Sequence, residues 1–167
     1  YDKWLASLKA KVIFEKANEK NKKRILQLIN KTNQMNLSTR RINESQLDKL
    51  INAKNYNMFS CKVADKFGDM GLVGVLSFKI SKEEIRIIDF ILSCRAFGRS
   101  IEKSMLFKVI EVLKKKRIDK IVFRYIKTEK NKPCLLFLKS NLLRKKDDIF
   151  EYKKNTKISL PKFLKII

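Results

Sequence analysis

The feature that most constrains the fold is a strand that runs into a small-residue turn, from which a helix begins. The apolar run 85–94 predicts a buried strand, and apolar residues with helical spacing over 101–115 predict a helix with one buried face. The turn between them is 95–100, and a second buried strand is predicted at 120–126. A strand, a helix and another strand in this order indicate an α/β domain.

The turn between strand and helix also predicts a phosphate site. A helix N-terminus presents unpaired N–H groups and partial positive charge, and such a site binds phosphate. Gly98 has no Cβ, so a ligand can approach its backbone closely. We therefore expect Gly98 and the amides around Arg99 and Ser100 to hold a phosphate, with Arg95 and Arg99 adding charge.

Two stretches resemble the GNAT acyltransferases. The arrangement Arg-x-x-Gly-x-Ser at 95–100 is similar to the family's coenzyme A pyrophosphate loop. Asn131, Cys134 and Phe137 fit the family's Asn-x-x-Ala-x-x-Phe pattern after the next strand. The resemblance implies an α/β GNAT-like acyltransferase fold, with a mixed, mostly antiparallel central sheet flanked by helices.

The same resemblance implies a binding mode. Coenzyme A or phosphopantetheine would lie along the cleft between strands 85–94 and 120–126, with Asn131 on the pantetheine side. Asn131 would also cap the helix that starts there. Asp89 is the carboxylate nearest the family's catalytic base. Leu138 stands where the family has the tyrosine that protonates the departing thiolate, which argues against ordinary amine acetylation.

A second resemblance centres on residues 30–41, Asn-Lys-Thr-Asn-Gln-Met-Asn-Leu-Ser-Thr-Arg-Arg. This run looks like the NKTNQFNLTTRR signature of FkbH-like proteins, and 65–74, 93–95 and 128–131 resemble further parts of that family in the same order. Such proteins join a haloacid-dehalogenase-like phosphatase domain to a C-terminal GNAT-like domain. The best-known members load a glyceryl unit onto an acyl carrier protein. The resemblance implies a phosphatase domain upstream in the same polypeptide. No Asp-x-Asp phosphatase motif occurs in this sequence, so that half is expected to be missing here or to lie on another chain.

The polar run between the first two predicted helices offers a substrate site. Its amide and hydroxyl groups suit a polyhydroxylated acyl group, and they come from Thr32, Asn33, Gln34, Asn36 and Thr39. Arg40 and Arg41 offer planar forks for phosphate or carboxylate. The alternative is a solvated loop whose side chains cap backbone groups.

Cys94 admits two interpretations. At the end of its predicted strand, Cys94 lies on the same face as Phe90 and Leu92, which favours a buried core cysteine. Alternatively it is a nucleophile that carries the acyl group as a thioester, because Arg95 and the helix N-terminus would place positive charge beside the thiol. The Ser-Cys-Arg resemblance at 93–95 supports the second interpretation.

Composition limits the chemistry and the partners. The chain has 40 Lys and Arg against 17 Asp and Glu, a formal charge of +23, and no histidine. Without histidine there is no Ser-His-Asp or Cys-His pair and no imidazole metal ligand. The positive charge suits an acidic carrier protein or coenzyme A phosphates, combined with the lysine bias of an AT-rich genome. Nucleic-acid binding is less favoured, because the basic residues are scattered without interleaved aromatics.

The cysteines and hydropathy predict a cytoplasmic protein. Cys61, Cys94 and Cys134 are widely spaced and suggest neither a disulfide framework nor a zinc site, so we expect no metal. No signal peptide is recognisable, and no apolar run approaches the roughly 20 residues of a membrane helix.

The order of elements completes the prediction. Residues 1–20 are expected to be a linker or N-terminal extension, and 21–167 a single GNAT-like domain. Helices are predicted at 22–30 and 44–53, and a hairpin at 58–80 turns at its glycines. The two resemblances imply an acyltransferase that transfers a glyceryl-type or related acyl group to a thiol. A non-catalytic carrier-docking module and a conventional N-acetyltransferase are the alternatives.

Overall fold

A computed structural model of the protein describes residues 2–160 and 165–166. The helices are α1 (Asp2–Leu8), α2 (Lys22–Lys31), α3 (Glu44–Ile51), α4 (Ile101–Lys116) and α5 (Lys132–Asn141). The strands are β1 (Lys11–Lys16), β2 (Met35–Asn36), β3 (Tyr56–Asp65), β4 (Gly68–Ile80), β5 (Glu84–Leu92), β6 (Lys120–Arg124), β7 (Leu143–Arg144), β8 (Ile149–Lys153) and β9 (Lys165–Ile166). A single 3-10 turn, Cys94–Ala96, follows β5.

The strands form one mixed sheet, as the sequence predicts. Its order is β7-β8-β6-β5-β4-β3-β1-β9, with β2 pairing to β5 outside this path. Most neighbours are antiparallel, whereas β5 pairs with β6, and β1 with β9, in parallel. The parallel pair of β5 and β6 is the predicted strand–helix–strand unit, with α4 as the crossover helix.

Helices cover both faces of the sheet. On one face α4 and α5 bury residues at helical spacing, among them Met105, Val109 and Leu138. On the other face α2 and α3 contribute a second cluster that includes Ile29 and Leu47. The helix α3 begins with a capping box, in which the Asn43 side chain accepts from the Gln46 N–H while the Gln46 side chain accepts from the Asn43 N–H.

A β-bulge in β5 changes which side chains face each layer. Phe78 pairs with Ile87 and Ser77 pairs with Asp89, so Ile88 is the extra residue. Phe90 consequently joins the cluster under α4 and α5. Asp89 shares the opposite face with Tyr56 and Ser77, which are its hydrogen-bond partners.

The first 20 residues contribute to the sheet. They were expected to be a linker or extension, yet β1 pairs with β3 along its whole length, and Leu5 and Leu8 of α1 are buried. Near the other end, apolar residues at 149, 150 and 152 belong to β8, whereas residues 158–160 form no strand. The predictions for 161–164 and 167 lie outside the described residues.

We expect Gly74→Ala to destabilise the protein. A Cβ at Gly74 would lie 3.0 Å from the Cβ of Cys61 and 3.2 Å from the carbonyl oxygen of Ile91. Because both neighbours belong to paired strands, relief requires backbone movement, at a cost of about 1–3 kcal/mol. Urea unfolding should show this loss, while Lys79→Ala at an exposed position of the same strand should stay within about 0.5 kcal/mol of wild type. Equal stability of the two variants would contradict this account.

Candidate functional site

The site is built where β5 and β6 diverge. The two strands pair only from Glu84–Ile87 on β5, opposite Lys120–Phe123 on β6. Beyond that point β2 pairs with β5, Met35 opposite Leu92 and Asn36 opposite Ile91. The far edge of β5 is already taken by β4, since Gly74 also pairs with Leu92. Residues of β2 therefore lie on the β6 side of β5, in the cleft that opens between the diverging strands.

Residues 35–37, here called the bridging segment, connect both sides of this cleft. The Leu37 carbonyl accepts from the Ile126 N–H at 3.0 Å, and the Asn36 carbonyl accepts from Asn131 Nδ2 at 3.1 Å. All three residues are buried. Burial of Met35 and Leu37 contributes about 1.5–3 kcal/mol each, so the segment is an integral part of the fold.

Asn131 holds the bridging segment and does not cap α5. Its side-chain oxygen accepts from the Tyr125 hydroxyl at 2.6 Å and from the Thr128 N–H at 2.8 Å. Its side-chain nitrogen donates to the carbonyls of Asn36 and Ile126. The side chain makes no capping hydrogen bond to α5. Because all its hydrogen-bonding capacity is used internally, the predicted cofactor contact of Asn131 is wrong in this arrangement.

Asn36 is likewise committed to the fold. Its side chain donates to the Thr32 carbonyl at 2.9 Å and accepts from the N–H groups of Ser38 and Thr39. The residue is 1 % exposed. The substrate contact predicted for Asn36 is therefore replaced by a structural role, which shapes the turn after the bridging segment.

Cys94 is exposed, and the expectation of a buried core cysteine is wrong. The strand ends at Leu92, so the alternation with Phe90 no longer applies to the 3-10 turn that Cys94 begins. Cys94 lines a cavity of about 460 Å³, here called the thiol pocket. The pocket is lined by Arg24, Gln27, Leu28, Lys31, Thr32, Asn33, Gln34, Leu92, Ser93, Cys94 and Lys130.

The thiol pocket brings together Cys94 and three predicted substrate residues, Thr32, Asn33 and Gln34. Sequence reasoning missed its basic and amide lining from α2. Arg24, Gln27, Leu28 and Lys31 follow the spacing i, i+3, i+4 and i+7, which places them on one helix face. That spacing is the signal that would have found them.

Thr39 and Arg41, two further residues predicted to contact substrate, lie beside this pocket. They line a smaller depression, which is also lined by Asn33, Thr128, Glu129 and Lys130. Arg41 donates to the Asn33 side chain at 2.6 Å and to the Ile29 carbonyl at 2.8 Å. Arg41 therefore holds the Asn33 side chain in position, on the side of Asn33 that borders the depression.

Arg40 and Asp89 form a separate, buried network. The Arg40 guanidinium donates to both carboxylate oxygens of Asp89, at 2.8 and 2.6 Å. The hydroxyls of Tyr56 and Ser77 also donate to Asp89. Burial, and then the charge of Asp89, raise the pKa of Tyr56 to about 12, so it remains a neutral donor.

This network removes Asp89 from the predicted catalytic role. Its carboxylate is fully buried, is occupied by Arg40, and does not line the thiol pocket. Arg40 borders instead a groove of about 810 Å³, which Ser38 also lines. Residues before the bridging segment thus line the thiol pocket, and residues after it line this groove.

One of the two arginines of the predicted phosphate turn is paired within the protein. Arg99 donates to the Asp65 carboxylate at 3.0 Å. Burial alone would raise the pKa of Asp65, but hydrogen bonds from the Phe67 N–H and Arg99 outweigh it and lower that pKa. Gly98 has a positive φ, and Ser100 adopts a left-handed conformation without capping α4 by its side chain. Arg95 is exposed.

Glu102 places a carboxylate in the first turn of α4. One of its oxygens is buried without a hydrogen-bond partner among the described residues. Burial raises the pKa of Glu102, partly offset by its own N–H. A carboxylate at this position competes with phosphate for the helix N-terminus, because both are stabilised by the same N–H groups.

Comparison with solved structures identifies the fold. A domain from Methanocaldococcus jannaschii superposes with a TM-score of 0.65 at 12% identity, covering 86% of this chain and 99% of that one. An acetyltransferase of the GNAT family from Staphylococcus aureus Mu50 gives 0.61 at 14% identity, covering 86% and 99%. The chain has the GNAT acetyltransferase fold. The PaiA N-acetyltransferase from Thermoplasma acidophilum, solved in complex with coenzyme A, gives a TM-score of 0.60 at 15% identity, covering 85% and 98%.

No protein-family model and no curated protein sequence matches the chain. The GNAT fold is therefore established by the structure alone. Within the described residues, no helix is long and apolar enough to cross a membrane, and no group of three or more acidic, cysteine or histidine side chains is arranged to hold a metal ion.

Part of the cleft predicted for coenzyme A is lined by the protein's own backbone. The bridging segment pairs with β5 there, and its side chains are buried. In the predicted phosphate turn Arg99 is paired with Asp65, and Glu102 lies in the first turn of α4.

We expect iodoacetamide to modify Cys94 alone in the folded protein near neutral pH. Cys94 is exposed, whereas burial raises the pKa of Cys61 and of Cys134 to about 12, so both remain shielded thiols. Peptide mass spectrometry measures the modification, and all three cysteines should react in denaturant. Modification of Cys61 or Cys134 before Cys94 would contradict the assigned exposures.

We expect Asn131→Ala to loosen the bridging segment. The change leaves the Tyr125 hydroxyl and the carbonyls of Asn36 and Ile126 without partners, which should lower the free energy of unfolding by about 3 kcal/mol. Hydrogen exchange should rise at residues 35–37. The matched control is Asn141→Ala, which removes a single half-buried amide bond to the Phe137 carbonyl and should cost about 1 kcal/mol. Unchanged exchange at 35–37 would exclude this role for Asn131.

Proposed function

We propose that this domain is an acyltransferase that carries an acyl group as a thioester on Cys94 and exchanges it with a phosphopantetheine thiol. The observation that supports the proposal is the thiol pocket. Of three cysteines, Cys94 is the exposed one, and it shares a pocket with Thr32, Asn33 and Gln34. These three are among the residues for which the sequence predicts substrate contact.

The chemistry suits a site without histidine. The Cys94 thiolate attacks the carbonyl carbon of an incoming thioester, a new C–S bond forms, and the old C–S bond breaks. The departing thiolate takes up the proton that the Cys94 thiol released. Because the entering and leaving groups are both thiols, exchange needs no strong general base. Asp89 can therefore remain in its structural pair with Arg40.

The pocket's side chains suit a small hydroxylated acyl group. The Thr32 hydroxyl and the amides of Gln27, Asn33 and Gln34 can donate to and accept from hydroxyl groups. A glyceryl-type acyl group, which the FkbH-like resemblance suggests, has this chemistry. Such a group is also small enough to share the pocket with the thiol arm that carries it.

The partner that fits best is an acidic acyl carrier protein, with acyl-coenzyme A as the alternative donor. A formal charge of +23 favours rapid association with an acidic surface. Following the FkbH-like resemblance, we place a phosphatase domain upstream in the same polypeptide. That domain would supply the dephosphorylated acyl group.

A second candidate is a carrier-docking module without catalysis. The filled cleft between β5 and β6 favours it, because a domain that only docks a carrier needs no cofactor channel. A conventional N-acetyltransferase has less support. Asp89 is occupied by Arg40, and Leu138, at the position of the family's tyrosine, lies in the core.

The test is the mass of the intact protein after incubation with a glyceryl thioester of N-acetylcysteamine. Wild type should gain one glyceryl group, and Cys94→Ser should gain none while its unfolding free energy stays within about 0.5 kcal/mol, because the residue is exposed. The matched control is Cys61→Ser, which should lose stability but keep the adduct. An adduct that persists in Cys94→Ser would refute the nucleophile, and no adduct in wild type would favour the docking module.

A further inference from the structure

We infer that the groove lined by Ser38 and Arg40 binds an organic carboxylate with an apolar body, whose head group accepts hydrogen bonds from these two side chains. The groove has a volume of about 810 Å³, within the usual range for small-molecule sites. It shares no lining residue with the thiol pocket. The inference adds a second ligand site and does not depend on transfer at Cys94.

The groove lies on the sheet face opposite α4 and α5. Ile121 and Phe123 of β6 join the cluster under those helices, so alternation turns Val122 and Arg124 to the other face. On that face α2 and α3 pack against β3, β4 and β5. The groove extends beside them over β6 and the start of β8.

The floor of the groove is apolar. Strand register places Ile149 of β8 directly opposite Arg124 of β6. Ile88, Val122 and Ile149 line the groove with branched aliphatic side chains, and Ile126 at its edge is 50 % exposed. Because burial of apolar surface is favourable, this floor favours a ligand with a hydrocarbon body over a small inorganic anion.

Two hydrogen-bond donors at the edge of the groove are not used by the protein. The Ser38 hydroxyl is buried and has no hydrogen-bond partner among the described residues. Arg40 donates from Nε and Nη2 to Asp89 and Tyr56, at 2.6–3.0 Å, while its Nη1 donates to no described residue. Since an unpaired buried hydroxyl is unfavourable, a ligand oxygen that accepts from it would stabilise this arrangement.

The positions of both donors are fixed by the fold. The Arg40 guanidinium is held against the buried Asp89 carboxylate, and its side chain is 27 % exposed. Ser38 follows Leu37, whose carbonyl accepts from the Ile126 N–H at 3.0 Å. A carboxylate has two oxygens for a hydroxyl and a guanidinium N–H, and the bond to arginine is charge-assisted. A carboxylate head group therefore matches the two donors.

The charge of the lining also favours an anion. Four basic side chains line the groove, against two acidic ones, Asp147 and Asp148. Arg86 is paired with a glutamate of its own strand. Arg124 and Lys127 are exposed, and neither forms an ion pair with another described residue. These two cations add positive potential beside the donors of Ser38 and Arg40.

The test is calorimetric binding of octanoate to the whole chain. Octanamide has the same apolar body without the charge, and acetate has the charge without the body. Octanoate should bind at about tenfold lower concentration than octanamide, the effect of one charge-assisted contact. Acetate should bind more weakly than octanoate, because it leaves the apolar floor uncovered.

Single variants separate the site from overall charge. Ser38→Ala should weaken octanoate binding about fivefold without loss of stability, because the hydroxyl has no partner among the described residues. The matched control is Ser140→Ala on α5, outside the groove, which should keep the affinity. Arg124→Gln should weaken binding, whereas Arg95→Gln, with the same change of charge outside the groove, should not.

A double variant tests Arg40 without leaving a buried charge unpaired. Arg40→Gln with Asp89→Asn removes both charges of the pair and keeps side chains that can hydrogen-bond to each other. It should lose the preference for octanoate over octanamide. Retention of the full preference in this variant would overturn the assigned head-group site.

The remaining results also decide the inference. Equal binding of octanoate and octanamide to wild type, or no saturable binding of octanoate, refutes the carboxylate site. Equal weakening by Arg95→Gln and Arg124→Gln would reduce the effect to overall charge and overturn it. Loss of binding in Cys94→Ser would place octanoate in the thiol pocket, which also overturns it. The glyceryl adduct on Cys94 is measured separately, so either proposal can fail while the other stands.

Discussion

The arrangement around Cys94 depends on one constraint: the edge of β5 must find backbone partners after β6 diverges from it. Buried N–H and C=O groups are costly to leave unpaired. In this protein Met35 and Asn36 supply the partners for Leu92 and Ile91. The chain therefore fills, with its own backbone, the opening that the divergence of two parallel strands creates.

One buried side chain joins the bridging segment to the rest of the sheet. Asn131 donates to the Asn36 carbonyl on one side and to the Ile126 carbonyl on the other, while it accepts from Tyr125. A leucine of similar volume would leave several of these groups unpaired. The amide is required because it donates and accepts at once. It links segments that are 95 residues apart in the chain.

The bridging segment also separates two surfaces with different chemistry. Residues that precede it, Thr32 to Gln34, face the exposed thiol of Cys94, and Ser38 and Arg40, which follow it, border the larger groove. Arg40 is fixed to Asp89 in the sheet, so the segment is held at both ends. The chain has the GNAT fold, and in it Cys94 shares a pocket with residues of α2.

Much of the framework follows from local sequence patterns. Helical spacing of apolar residues predicted α2, α4 and their buried faces, and the apolar runs predicted β5 and β6. The polar run after α2 was predicted to contact substrate, and three of its residues line the same pocket as Cys94. These features depend on neighbours in the chain, where spacing and side-chain type are sufficient to decide the outcome.

The tertiary structure decided what depends on distant partners. The end of β5 at Leu92 exposed Cys94, although simple alternation predicted its burial. Arg99 forms an ion pair with Asp65, and Arg40 forms one with Asp89. The side chains of Asn36 and Asn131 are buried. Polar groups that the sequence offers to a ligand are therefore used within the fold. The sequence by itself determined which residues are polar, reactive or apolar, and the strands and helices they form. Which polar groups remain free was decided only by packing, because hydrogen bonds between remote segments leave no periodic signal in the chain.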